Sequence, residues 1–145
     1  MNIEIITTEL QLTIHGFSGV AANKDYAATA FQLSGRMWKT LKENGIRNKG
    51  KNIWVYESVH RVFTGVELED IPNDTHSLEE KKIVLPKYAY YKHIGPYSLL
   101  RQIGATMGNE LKSKGFETGL PYIEIYGHWT NEEATCETEL FMALI

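Results

Sequence analysis

The stretch LPYIEIYGHW, residues 120–129, decides the fold, because its alternation places two kinds of side chain on opposite faces of one predicted strand. Two isoleucines share one face. Glu124 lies on the other face, in a row of rings formed by Tyr122, Tyr126 and His128. An ionised carboxylate away from water costs free energy unless a cation pairs with it. Glu124 is therefore either a solvated strand residue or a binding partner for a positive charge.

The composition excludes several classes of protein. A chain of 145 residues with 43% hydrophobic content is long enough for one domain with a substantial core. The net charge of -3 argues against direct binding to nucleic acid, which selects basic surfaces. Cys136 is the only cysteine, so no disulfide framework forms. No apolar run approaches the roughly 20 residues that cross a bilayer. We expect a soluble cytoplasmic protein that is a monomer or a weak homodimer.

The pattern of the first half predicts a strand, a helix and two further strands. Residues 9–17 alternate apolar and polar side chains, which is typical of a strand. Apolar residues then recur at helical spacing from Asp25 until Gly45, a residue typical of a helix C-terminus. Two strands are predicted next, over residues 52–59 and 61–69.

The second half repeats this order. Residues 82–95 are extended, and Pro86 confines that part of the segment to an edge or a bend. A helix follows and ends at Gly115. Two final strands are predicted over residues 122–129 and 138–145.

The predicted fold class is α+β, in a single domain that spans residues 1–145. Two strand–helix–strand–strand repeats, at about 1–69 and 81–145, are joined by an acidic connection over 70–80. Together the repeats predict one antiparallel sheet with both helices on one face. The other face is predicted to hold the ligand groove.

The two repeats can be aligned by physical role. ENGIRNKGKNIWVYE is similar to SKGFETGLPYIEIYG in the position of its helix stop, its loop length and its strand phase. In that register Gly45 corresponds to Gly115, and Trp54 corresponds to Glu124.

Four ordered segments resemble the GyrI-like family, which includes the effector-binding domains of AraC- and MerR-type multidrug-sensing regulators. The segments are KYAYYKHIGPYSLL, LKSKG, LPYIEIYGHW and TELFMALI. The resemblance implies the duplicated fold and a groove that binds lipophilic, often cationic, small molecules. It assigns the charge partner to Glu124 and a second acid to Glu139. The chain departs from the family at Ala143, where many relatives have proline, and its start at Met1 predicts a stand-alone member.

The predicted ligand site consists of Glu124 and aromatic walls. Trp54, Tyr122 and Tyr126 are expected to desolvate the carboxylate, and cation–π contacts add roughly 0.5–2 kcal/mol each. Trp129 is expected to act as a lid over the groove mouth. The alternative is that Glu124 is exposed and pairs with a cross-strand base such as Lys92, an ion pair that contributes about 0–1 kcal/mol.

Two further candidates complete this site. Tyr91 lies on the opposite face of its strand from Tyr88 and Tyr90, and either set is able to line the groove. Glu139 at the start of the last strand is either a second groove acid or an ordinary edge residue. Two more aromatic residues, Phe31 and Trp38, lie on the helix stripe and are expected in the core.

Two other functions remain open at this point. A hydrolase would use Glu124 as general base with Tyr91 or Tyr126. A gyrase-inhibitor-like protein would bind a protein partner. The scattered histidines include no HExxH motif, and the chain has no GxSxG motif, so we predict neither a metal site nor a cofactor.

Overall fold

The alternating segments form eight strands of one antiparallel sheet, and the two helical segments form α-helices, so the predicted α+β class is confirmed. The computed structural model describes residues 1–22, 25–58, 60–128 and 130–145. In those ranges the strands and helices have the following bounds: β1 Glu4–Ile6, β2 Leu10–Val20, α1 Tyr26–Glu43, β3 Ile53–Tyr56, β4 Arg61–Val66, β5 Glu79–Leu85, β6 Tyr88–Ile94, α2 Leu100–Ser113, β7 Thr118–Tyr126 and β8 Glu137–Leu144.

Helix α1 begins close to the predicted residue, and both helices end close to the predicted glycines. The Asp25 side chain caps α1 by accepting a hydrogen bond from the backbone nitrogen of Ala28 at 3.1 Å. Gly45 and Gly115 follow the two helices with φ of +60° and +84°, a conformation that glycine adopts without steric cost. A 3₁₀ turn, Tyr97–Leu99, precedes α2.

The strand order across the sheet is β1-β6-β8-β7-β3-β4-β2-β5, and all neighbours are antiparallel. The short strand β1 was not predicted. The extended segment 82–95 is not one strand, because β5 pairs with β2 at one end of the sheet while β6 pairs with β8 near the other end. Pro86 lies at the bend between them, as predicted.

This connection requires the sheet to curl. In a flat sheet, β5 and β6 would be six strand spacings apart, about 29 Å. Only residues 86 and 87 separate Leu85 from Tyr88, and three Cα–Cα steps span at most about 11 Å. The sheet therefore rolls so that its two ends approach each other.

The inside of the curl is filled by apolar side chains from seven of these strands. The buried members of this core are Ile14, Ile53, Val55, Phe63, Ile83, Leu85, Tyr88, Ile123, Phe141 and Ala143. None of them belongs to a helix, so this is the helix-free face of the sheet. The prediction of a ligand groove on this face is wrong, because the curl packs the face against itself.

The helices cover the outer face in two separate places. Met37 and Leu41 of α1 pack with Phe17 of β2 and Val66 of β4. Four side chains make the corresponding contact of α2 with β6 and β8: Leu100, Met107, Ala89 and Leu140. The central strands β3 and β7 lie between the two covered regions. Within the described ranges, no helix is both long and apolar enough to cross a membrane.

The close approach of β2 and β4 gives a stability prediction. A Cβ atom added at Gly16 would overlap the carbonyl oxygen of Thr64 and lie 2.6 Å from the Cα of Gly65, its partner across the strands. Since both obstacles are backbone atoms, Gly16→Ala is expected to lower the free energy of unfolding by more than about 2 kcal/mol.

The matched control is Gly35→Ala in α1, where the added Cβ meets nothing within 4 Å. This change is expected to stabilise the fold by up to about 1 kcal/mol through helix propensity. Urea denaturation of both variants measures the difference. Equal effects of the two substitutions would contradict the register in which β2 pairs with β4.

Candidate ligand-binding site

The floor of the candidate site is the uncovered pair of central strands. Trp54 of β3 lies directly opposite Glu124 of β7, and Tyr56 lies opposite Tyr122. Side chains two positions apart on a strand share a face, so Tyr126 joins this set. The five side chains face the helices, not the apolar core inside the curl.

A cavity of about 1290 Å³ lies above this floor. Helix α1 contributes one wall, which includes Phe31 and Ser34, and the start of α2 contributes the other, which includes Arg101 and Gly104. Small residues keep the walls close to the floor. A Cβ at Gly104 would lie only 3.2 Å from the hydroxyl oxygen of Tyr122. The cavity exceeds the roughly 300–1,000 Å³ of pockets for drug-sized ligands.

Glu124 lies at the centre of the floor and is only 5% exposed. Its Oε1 accepts hydrogen bonds from the hydroxyl groups of Tyr126 at 2.8 Å and Tyr56 at 3.0 Å. Its Oε2 accepts a third from the hydroxyl group of Tyr122 at 3.2 Å. The carboxylate is therefore held in one orientation by three phenols from two strands.

Burial controls the electrostatics of this cluster. Desolvation raises the pKa of Glu124 above its usual value of 4.5, although the three tyrosine hydrogen bonds act in the opposite direction. Burial, together with the neighbouring carboxylate, also raises the pKa of Tyr56, Tyr122 and Tyr126, so the three phenols stay protonated donors.

Among the described residues, no counter-ion compensates Glu124. Within residues 1–22, 25–58, 60–128 and 130–145, no lysine, arginine or histidine nitrogen lies within 4.0 Å of its carboxylate. The predicted alternative, an exposed acid paired with a base such as Lys92, does not apply, because Lys92 pairs with Glu137 at 3.3 Å.

The rings form two groups on either side of Glu124. On one side Tyr56 stacks on Tyr122 with ring centroids 5.6 Å apart, and Tyr26 meets the edge of Tyr56 at 6.0 Å. On the other side Trp54 and Tyr97 both contact Tyr126, at 4.9 and 5.4 Å. Each group offers flat apolar area next to the same carboxylate.

The structure brings together four of the predicted site residues: Glu124, Trp54, Tyr122 and Tyr126 all line the cavity. Tyr91 faces the helices, since it pairs with Leu140, which lies opposite Glu124. It packs in the apolar cluster around α2, however, and is not part of the cavity wall.

Glu139 lies on the opposite face of the sheet from Glu124, because it pairs with Ile125. Its Oε2 accepts a hydrogen bond from the hydroxyl group of Tyr90 at 2.7 Å. The expectation of a second acid beside Glu124 therefore does not match the strand register. Trp129, the predicted lid, lies outside the described residues.

Sequence reasoning missed several wall residues. Tyr56 is the most important of them, and its position two residues after Trp54 on the same predicted face was an available signal. Phe31, expected in the core, is 73% exposed at the cavity, so that prediction is wrong. Trp38 packs against the α1 core and also lines the cavity.

The same described ranges contain no group of three or more histidine, cysteine, aspartate or glutamate side chains arranged to hold a metal ion. The lone cysteine, Cys136, is buried.

Comparison with solved structures identifies proteins of the same fold. The C-terminal domain of EcmrR superposes with a TM-score of 0.73 at 14% identity, over 100% of this chain and 99% of that domain. SAV2435 bound to tetraphenylphosphonium superposes with a TM-score of 0.67 at 15% identity, over 100% and 94% of the two chains. A hydrolase from Listeria innocua gives a TM-score of 0.60 at 12% identity, over 99% and 91%.

At these identities the likeness shows the fold alone. The fold is consistent with the resemblance to the GyrI-like family, whereas no protein-family model and no curated protein matches the chain.

The buried carboxylate predicts a pH dependence of stability. Because the pKa of Glu124 is raised in the folded chain, the folded state binds a proton that the unfolded state releases above about pH 4.5. The contribution of Glu124 to stability is therefore present at low pH and is lost as the pH rises through the folded-state pKa.

Glu124→Gln removes this loss of stability. The difference in the free energy of unfolding between the variant and the wild type is therefore expected to increase as the pH rises through this range. Urea denaturation at a series of pH values measures the difference. A difference that is constant with pH would contradict the burial of an uncompensated carboxylate.

Proposed function

We propose that the chain binds lipophilic, cationic aromatic small molecules in the cavity between its helices, for sensing or for sequestration. The observation that carries the proposal is Glu124, a buried carboxylate with three phenol donors and no protein cation within 4.0 Å in the described residues. Glu124 is the charge partner in this proposal, and Trp54, Tyr56, Tyr122 and Tyr126 are the walls.

The energetic argument follows from the burial of Glu124. A buried charge without a partner is costly, and a cation that enters the cavity offsets part of that cost. The attraction between the two charges is stronger in a desolvated site than in water. Aromatic faces on both sides of the carboxylate add cation–π stabilisation and flat apolar contact area.

The neighbours of known structure support this chemistry. SAV2435 binds tetraphenylphosphonium, a lipophilic aromatic cation, on the same fold. In EcmrR the fold is a C-terminal domain. The SAV2435 complex favours ligand binding over a purely structural role for the cavity.

We also propose that the chain is a duplication of one strand–helix–strand–strand unit, in agreement with the sequence alignment of its two halves. The order of strands is consistent with a twofold axis between β3 and β7. Trp54 and Glu124, equivalent in the sequence alignment of the repeats, are also direct cross-strand partners, as residues beside such an axis must be. The duplication places the cavity at the junction of the two units.

The helix ends support the same equivalence. Ile46 donates a backbone hydrogen bond to Leu41 at 3.0 Å after α1, and Phe116 donates one to Leu111 at 3.0 Å after α2. Each residue of the second pair lies 70 positions after its counterpart (116 − 46 and 111 − 41), the same shift that relates Trp54 to Glu124.

The charge requirement can be tested with methyltriphenylphosphonium and triphenylphosphine oxide, a neutral molecule of similar shape. Glu124→Gln is expected to weaken binding of the cation by about 10- to 100-fold, the usual range for a lost interaction with a charged group. Binding of the neutral oxide is expected to change by less than about twofold. Isothermal titration calorimetry measures both affinities.

Glu139→Gln is the matched control, because it removes the same charge from the opposite face of the sheet. It is expected to leave the affinity for the cation within about twofold of wild type. Equal losses for the cation and the oxide in Glu124→Gln, or no binding of the cation by wild type, would reject the proposed function.

A second candidate function is hydrolysis of a small electrophile, with Glu124 as general base and a tyrosine as electrophilic donor. The observation that favours it is the raised pKa of a carboxylate held by hydroxyl donors, which suits general-base chemistry. A neighbour of this fold is a hydrolase from Listeria innocua. Tyr126 is the suitable donor, since Tyr91 is not part of the cavity wall.

A fluorogenic epoxide and an activated ester test this candidate. If the chain turns over either substrate, Glu124→Gln is expected to abolish the activity, Tyr126→Phe to lower it by about 10- to 100-fold, and Glu139→Gln to retain it. Turnover that survives Glu124→Gln would remove the candidate.

A further inference from the structure

The charges along the cavity wall are not all acidic. In the described residues, four charged side chains line the cavity, namely Asp25, Glu57, Glu124 and Arg101. Asp25 caps α1, Glu57 pairs with Lys81, and Glu124 accepts three phenol hydrogen bonds. Arg101 is exposed and makes no side-chain hydrogen bond and no ion pair within 4.0 Å in the same part of the chain.

Arg101 lies in the middle of the face that the start of α2 presents to the cavity. Its neighbours are the residues three and four positions after it on the surface of α2, and the two residues of the preceding 3₁₀ turn that lie three and four positions before it. All four of them also line the cavity: Tyr97, Ser98, Gly104 and Ala105. None is an acid, and the first turn of α2 contains no acidic residue. The guanidinium therefore has no anion within helical reach.

We infer that the preferred ligands are zwitterionic, with an aromatic cation at Glu124 and a carboxylate that Arg101 binds at the cavity wall. This inference rests on the proposed function and names the substrate class of the same site. The planar guanidinium offers paired donors that match a carboxylate, and the resulting hydrogen bonds are charge-assisted. The cavity volume of about 1290 Å³ leaves room for a ligand that reaches from Glu124 to the wall.

Arg101 also disfavours ligands that carry only a positive charge. A purely cationic molecule near Glu124 meets the positive charge of Arg101 without compensation, and like charges disfavour binding. Arg101 thus determines specificity, while Glu124 supplies the attraction that both classes share.

A pair of matched dyes separates these contributions. A rhodamine with a free carboxylate on its pendant ring is zwitterionic, and its methyl ester keeps the same xanthylium cation without the anion. Arg101→Gln is expected to weaken binding of the free-acid dye by about 5- to 10-fold. This factor corresponds to the loss of an interaction with a charged group whose strength is reduced by solvent exposure. The same variant is expected to leave the ester within about twofold of wild type, or to tighten it. Fluorescence anisotropy measures both.

Two variants serve as controls. Arg101→Lys keeps the charge but loses the planar fork, so it is expected to recover part of the affinity for the free-acid dye. Lys112→Gln removes one positive charge from the same helix outside the cavity, and it is expected to leave both affinities unchanged.

The outcomes distinguish the two proposals. If Glu124→Gln weakens both dyes but Arg101→Gln changes them by the same factor or changes neither, the zwitterion inference is overturned and the proposed function stands. If wild type binds neither dye, or Glu124→Gln leaves the ester unaffected, the proposed function fails and the inference fails with it.

Discussion

The cavity depends on one interaction, the burial of the Glu124 carboxylate beneath the hydroxyl groups of Tyr56, Tyr122 and Tyr126. Three donors satisfy an anion that has no ion-pair partner in the described residues, and they keep their protons because burial raises their own pKa. The cluster requires β3 and β7 to pair in one register. A slip by one residue would send Trp54 and Tyr56 to the apolar face and leave the carboxylate without one of its donors.

The curl of the sheet decides where this cluster is open to ligands. Because the inner face closes on an apolar core, only the outer face remains for binding. The helices cover the two ends of that face, with Met37 packed on one side and Met107 on the other. The central strands stay uncovered, so the cavity follows from the spacing of the helices.

Local alternation was sufficient to predict much of this arrangement. The period of two in residues 120–129 places Glu124 with Tyr122 and Tyr126, and the helix stops at Gly45 and Gly115 lie where the glycines suggest. The face of the sheet that carries the cavity could not be predicted in this way. It depends on the path from β5 to β6, a long-range property that no local pattern contains. The same limit explains why Glu139 was expected beside Glu124, because alternation within a strand does not fix the register of that strand with its neighbour.

The two halves contribute different chemistry to one cavity. At the axis of the proposed duplication, the first half supplies Trp54 and the second supplies Glu124. The same shift of 70 positions (101 − 31) relates the helix residues Phe31 and Arg101, which both line the cavity. At both pairs of positions the first half supplies a ring, and the second half supplies a charge. Since these two charges have opposite signs, the cavity has a dipolar character that two identical halves could not produce. Under the proposed duplication, the difference between the two halves at these two pairs of positions supplies the opposed charges of Glu124 and Arg101.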